Sequence, residues 1–238
     1  MKDPTRIPGI MADLTSLWEA QPDLTLAQVW GQLESRGLSA ASTDEDVRAL
    51  LAQARADYPV NTGAVPTRPL HLRTVEPQRQ VTLTPTAAGQ VRVTVRDPRT
   101  AVLPATWLAA SVVRGRVSGP LVIDGGEGTH HRLGIITGIR ALPAVDVPHG
   151  AWITPERFGH VLVGVEVKAQ DSHDSELVLI RRREATVYHS HRRETDVSTH
   201  RWHRLAALRL GEPLVLELAG GRRLTLDGYV ADYFLVDA

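Results

Sequence analysis

Apolar positions change their period part-way along the chain, and the change divides it. Ile7, Ile10, Met11, Leu14, Leu17 and Trp18 recur at three- and four-residue steps, which places them on one face of a helix. Leu26, Val29, Trp30 and Leu33 make a second stripe, and Val47, Leu50, Leu51 and Ala54 a third. The punctuation agrees. Asp3-Pro4 offers a cap and a proline at the first helical position, and Pro22-Asp23 breaks the first run. Gly37 closes the second, and Ser42-Thr43-Asp44-Glu45 matches a capping box ahead of the third. Residues 1–60 are therefore expected to form a three-helix module whose apolar faces cover one another.

Pro59, Pro66, Pro69 and Pro77, with Asn61-Thr62-Gly63, mark residues 61–78 as a linker. Beyond it the period drops to two. Val81-Leu83 and Val91-Val93-Val95 alternate with polar residues on either side of Ala87-Ala88-Gly89, which predicts a hairpin. Further strands are expected over 107–117, 121–124, 131–139, 161–167, 177–188 (as one strand) and 229–236. Leu214-Leu216-Leu218 and Leu224-Leu226 bracket Ala219-Gly220-Gly221-Arg222 as another hairpin. Residues 143–159 read as a polar, proline-containing loop. The exception is 199–209, where Trp202, Leu205, Ala206 and Leu208 fit one short helix. The expected class is α+β: a helical module, then a mainly antiparallel β domain over 79–238, either a sandwich or an irregular barrel. No internal repeat is visible.

The run Ile10, Leu14 and Trp18, then Pro22-Asp23-Leu24, Leu26, Val29 and Leu33, then Thr43-Asp44-Glu45-Asp46 and Leu50-Leu51 resembles a group of small bacterial helical proteins of unknown function. Those proteins share an apolar helix ending in tryptophan, a Pro-Asp-Leu step and an acidic pair before a last helix. The resemblance covers about a quarter of the chain. It implies a cytoplasmic bacterial module and carries no catalytic residue across. The long β-rich extension departs from those short proteins.

Composition narrows the chemistry. With no cysteine, disulfides, thiolate catalysis and cysteine-held metal clusters are excluded. Neither a signal-peptide core nor 18 uninterrupted apolar residues occurs, so a cytoplasmic protein with no membrane partner is expected. Basic and acidic residues balance at 27 each, so the whole chain exerts no general pull on polyanions. Any electrostatic role must be local. Residues 1–60 hold five basic and nine acidic residues, which leaves a small positive excess downstream.

That excess concentrates in Ile180–Leu210, where eight arginines face only Glu184, Glu194 and Asp196. If Arg181–Arg183 continue the preceding strand, Arg181 and Arg183 share a face and Arg182 points away. With Arg192, Arg193, Arg201 and Arg204 they would form a basic surface flanked by Tyr188 and Trp202. Guanidinium forks match phosphate oxygens and aromatic rings stack on bases, so a phosphate-bearing or acidic partner is the leading expectation, nucleic acid first. The plainer alternative is a solvated strand edge, or ion pairs with Glu166, Glu176, Glu184 and Glu194. No nucleic-acid signature motif is present.

The histidines suggest a second chemistry. His189 and His191 would share a strand face, His200 and His203 a helix face, and the two pairs could hold a divalent transition metal as the cofactor of an enzyme. Asp196 or Glu194 would then be a ligand or base, although the spacing matches no established zinc signature. Asp124-Gly125-Gly126-Glu127-Gly128 reads as a hairpin turn. It lacks the lysine and hydroxyl of a phosphate-binding loop, and Asp124, Glu127, His130 and His131 have no spacing that demands a site. Ser190 and Ser198 sit near histidines without a base–orienter order, so a hydrolase triad is not expected and binding is favoured over catalysis. A third reading needs no cofactor: an assembly protein whose helical module recruits a protein partner.

Overall fold

A computed structural model describes residues 4–100, 102–143, 152–169, 175–190, 195–206 and 208–237. The chain is α+β and forms two compact units, Met1–Leu142 and Pro143–Ala238.

The first unit opens with helices α1 (Arg6–Glu19), α2 (Leu26–Ser35) and α3 (Asp44–Asp57). Two start where side chains satisfy the first free N–H groups. Thr25 and Gln28 form a capping box on α2, and Thr43 and Asp46 form one on α3. The first helix begins later than Asp3-Pro4 suggests: Pro4 instead supplies a carbonyl to the Ile7 N–H, and Thr5 caps without a side-chain bond. Leu17, Val29, Leu33, Leu51 and Ala54 make the buried core of the bundle. Ion pairs Arg6–Asp44 and Arg55–Asp13 clip α1 to α3. The stripes are wider than that core requires, for Ile7, Met11, Trp18, Leu26 and Trp30 remain exposed.

Strands follow as β1 (Leu70–Val75), β2 (Arg79–Pro85), β3 (Val91–Arg96), β4 (Ala105–Ala109), β5 (Ser111–Arg114), β6 (Pro120–Gly126) and β7 (Thr129–Ala141). The first of them occupies part of the proline-rich stretch read as a linker. All pairs are antiparallel, in the order β4-β3-β2-β1-β7-β6-β5. Its two edges, β4 and β5, are separated by Ala110 alone, so their ends lie no more than about 7 Å apart. A seven-stranded sheet meets that condition only by curling round, and the Ala110 N–H bonds the Asp124 carbonyl of β6 at 2.9 Å. The curled antiparallel sheet is a half-barrel. Leu72, Val81, Leu83, Val91, Val93, Leu121 and Ile136 line its filled interior.

The second unit contains β8 (Trp152–Ile153), α4 (Pro155–Phe158), β9 (Leu162–Lys168), β10 (Ser175–Arg181), β11 (Glu184–Ser190), β12 (Thr195–Ala206), β13 (Val215–Leu218), a 3-10 turn at Ala219–Gly221, β14 (Arg223–Thr225) and β15 (Tyr229–Asp237). Their order is β14-β13-β12-β11-β10-β9-β15, with β8 beside β12. Here too the edges β14 and β15 are joined by three residues, and Val230 of β15 exchanges two backbone bonds with Gly211 and Glu212. Val165, Val167, Val178, Ile180, Val187, Trp202, Leu205 and Leu216 pack inside the curl.

Three expectations are corrected here. Residues 177–188 are not one strand: they are β10 and β11, reversed at Arg182-Arg183. Consequently Arg181 and Arg183 do not alternate with Arg182 along a strand. Residues 199–206 are not helical but the second half of β12, which pairs with β11 on one side and with β13 on the other. The helix-like spacing has a specific cause. Trp202 pairs with Leu218 and Arg204 with Glu217, so His203 is an extra residue, a β-bulge. The bulge stretches the inward step from two residues to three, so Trp202 and Leu205 both face the core from a strand. Lastly, the stretch read as a loop over 143–159 contains β8 and α4.

Candidate anion-binding cleft

The reversal at Arg182-Arg183 departs from the usual chemistry of a two-residue hairpin turn, which favours glycine, asparagine or aspartate. Among the described residues only Glu76, Ser118 and Glu127 are non-glycine residues at positive φ, so neither arginine takes that conformation. The turn is held from outside instead. The Trp202 indole N–H donates to the Arg181 carbonyl at 2.9 Å, and the Trp202 backbone N–H donates to the Arg183 carbonyl at 3.3 Å. The tryptophan is itself fixed: 2% exposed, with its ring edge-on to Phe158 of α4 at 5.6 Å. One buried side chain thus ties together the hairpin tip, the short helix and the bulged strand.

Around this anchor lies a cleft of about 770 Å³. Its guanidinium and imidazole side chains come from separate stretches: Arg181, Arg182 and Arg183 from the hairpin, Arg201 and His203 from β12, and His160 from the segment after α4. Two carboxylates are set among them. Glu184 lies 3.7 Å from Arg181 and Glu156 lies 3.6 Å from Arg183. Cross-strand register also places Glu184 opposite Arg201. The Glu156 carboxyl is held below the usual carboxylate range, chiefly by its own backbone N–H, against some desolvation and with help from the Thr154 hydroxyl and Arg183. It therefore stays ionised. Arg182 and Arg201 make no ion pair among the described residues.

The expected basic surface is only partly assembled. Arg181, Arg183, Arg201 and Trp202 meet in this cleft, and so does His203. Arg204, just past the bulge, is exposed and sits opposite Glu217, away from the lining. Tyr188 is 5% exposed and Trp202 presents no free ring face, so neither offers a platform for stacking. Arg192, Arg193 and His191 lie outside the described residues, as does Glu194. Arg182, Glu156 and His160 complete the set. Thr154-Pro155-Glu156 does carry the cap-and-proline pattern of a helix start, but no spacing in the sequence connects it with the arginines.

The histidines expected to share a metal go separate ways. His189 Nδ1 bonds Glu176 at 2.6 Å, and His200 Nε2 bonds the Ser198 hydroxyl at 3.0 Å. His200 shares the core-side face of Ala185 and Trp202, whereas His203 projects from the bulge into the cleft. Among the described residues no three metal-ligating side chains come together. The glycine segment is a turn: Asp124 accepts the Gly126 N–H at 2.9 Å, with Gly126, Glu127 and Gly128 at positive φ. His131 packs on Trp107, with ring centres 5.0 Å apart.

The arrangement can bind negative charge through forked donors held on a fixed backbone; its carboxylates hold two of the three hairpin arginines and leave the third free. Compared with protein-family models, with curated proteins and with solved structures, the chain matches none.

Proposed function

We propose that this is a binding or regulatory protein whose second unit captures a phosphate-bearing or acidic partner in the Arg181–Arg183, Arg201 and His203 cleft. One observation carries the reading: a tight turn built from Arg182-Arg183, against local turn preference, and suspended on Trp202. Departures from local propensity that the surrounding structure compensates concentrate at functional positions. Arginines that served only to solvate an edge would need no such support. The test is binding of pyrophosphate and of DNA and RNA across a salt series, because phosphate contacts release counterions. Arg182→Ala with Arg201→Ala should weaken binding and flatten its salt dependence. Absence of binding to every one of these anions at low ionic strength removes the proposal.

A second reading has its own support. Five large apolar side chains stay exposed on α1 and α2, both tryptophans of the module among them, and such exposure is a feature of protein-docking surfaces. In this reading the module recruits a protein partner. A stable oligomer by size exclusion with light scattering, lost on Trp30→Ser, supports it; a monomer at all concentrations counts against self-association.

A further inference from the structure

We infer that the cleft takes one compact phosphate group, the phosphomonoester or diphosphate of a small molecule, and does not lie along a nucleic-acid backbone. The inference rests on the anion-binding reading above and narrows it. Three features separate the two kinds of anion. The first is that the large ring of the cleft, the Trp202 indole, is closed to stacking. Single-stranded nucleic acid is held by charge together with bases stacked on aromatic rings. Among the described lining residues the one indole, Trp202, is buried with its N–H already used, which leaves only the smaller imidazole rings of His160 and His203.

The second is the placement of acids. Glu184 lies in the same cross-strand row as Arg181 and Arg201, and Glu156 sits beside Arg183. An extended polyanion crossing the hairpin tip would bring successive phosphates against these two carboxylates, and like charges at short range repel. A compact group needs only the lining arginines that make no ion pair among the described residues, Arg182 and Arg201, and need not run past both acids. The third is size and field. About 770 Å³ lies within the range of small-molecule sites, and a chain with no net charge does not attract long polyanions from a distance. The guanidinium fork matches two oxygens of one phosphate, so two arginines from different strands suffice to orient the group.

Calorimetry on the full chain in phosphate-free buffer tests this, with pyrophosphate, orthophosphate and a single-stranded oligonucleotide bearing or lacking a 5′-phosphate. The expected result is saturable binding of one pyrophosphate, weakened about tenfold by Arg182→Ala and by Arg201→Ala. Arg223→Ala, whose partner Glu217 lies off the cleft, should leave it unchanged. Arg182→Lys keeps the charge but removes the fork, and an affinity between wild type and alanine separates orientation from bulk charge; circular dichroism confirms that each variant folds. Displacement of pyrophosphate by the phosphorylated oligonucleotide alone keeps the compact-group inference and assigns the group to a chain end. Equal displacement by the unphosphorylated oligonucleotide overturns the inference and leaves the anion cleft standing. No binding of any probe, or pyrophosphate binding indifferent to both alanine variants, overturns the cleft itself.

Discussion

Two hairpin turns in this molecule reverse antiparallel strands by opposite means. Between β6 and β7 the chain turns through Gly126, Glu127 and Gly128, all at positive φ, with Asp124 accepting a backbone N–H inside the turn. Its conformation is written into its own residues. Between β10 and β11 the chain turns on two arginines that have no such preference, and the instructions come from Trp202, whose two N–H groups donate to carbonyls at the tip. The first turn is local; the second depends on tertiary packing and frees both turn positions for charge. That freedom is what a binding site needs and what a simple connection does not.

The largest effect should follow from cutting the outside support. Trp202→Ala removes a core side chain and both the packing on Phe158 and the indole bond to the hairpin, at a cost of about 3–5 kcal/mol. Urea unfolding measures it. A loss below 1 kcal/mol would show that the arginine turn holds itself and would erase the contrast. The glycine turn should fail differently. Gly126→Ala finds open space for its methyl group, yet its φ of 86° disfavours an L side chain, so about 1–2 kcal/mol is expected. Arg182→Ala, with no such conformational demand, should stay within about 0.5 kcal/mol.

The same contrast explains what could be read from the sequence. The helices were legible because Pro22-Asp23, Gly37 and Thr43 punctuate apolar stripes, and the β6–β7 turn was legible because glycines announce it. Arg182-Arg183 hid a reversal, since nothing in two arginines signals a turn and Leu177–Tyr188 is apolar enough for one strand. His203 disguised a strand as a helix by inserting one residue between two inward positions. Composition singled out Ile180–Leu210, and most of the cleft's lining residues come from that segment. It also overvalued Tyr188 and Trp202 as surface aromatics, because a residue type does not reveal which face it takes. Glu156 and His160 come from another part of the chain and join the arginines only through folding.

Exchanging the turn chemistry sharpens the comparison next. Arg182→Asn with Arg183→Gly installs the pair that favours two-residue hairpins through positive φ, a conformation neither arginine takes, so a gain of a few tenths to about 1 kcal/mol requires the tip to change its backbone conformation. Thermal unfolding reads the gain, and pyrophosphate titration should read a lost site. A variant less stable than the natural chain would mean that Trp202 and the arginine backbone conformation are matched too closely for a generic turn to replace it.

The smallest effect concerns the acid beside that turn. Glu156 is ionised below the ordinary carboxylate range, held first by its own backbone N–H. Its folded-state pKa is depressed, so whatever it contributes to stability is present above the unfolded value and is lost as pH falls through the lower folded one. The carboxylate therefore persists through mild acidification and keeps competing with a ligand for Arg183, 3.6 Å away. Glu156→Gln removes that competition at every pH. Since exposed ion pairs are weak and screened, pyrophosphate affinity should rise only modestly, by up to about fivefold. The gain should be equal at pH 7 and pH 5.5, because the natural carboxylate is charged at both. A gain that vanished at the lower pH would show Glu156 already protonated there, and the acid would then be responding to the solvent and no longer to the turn it sits beside.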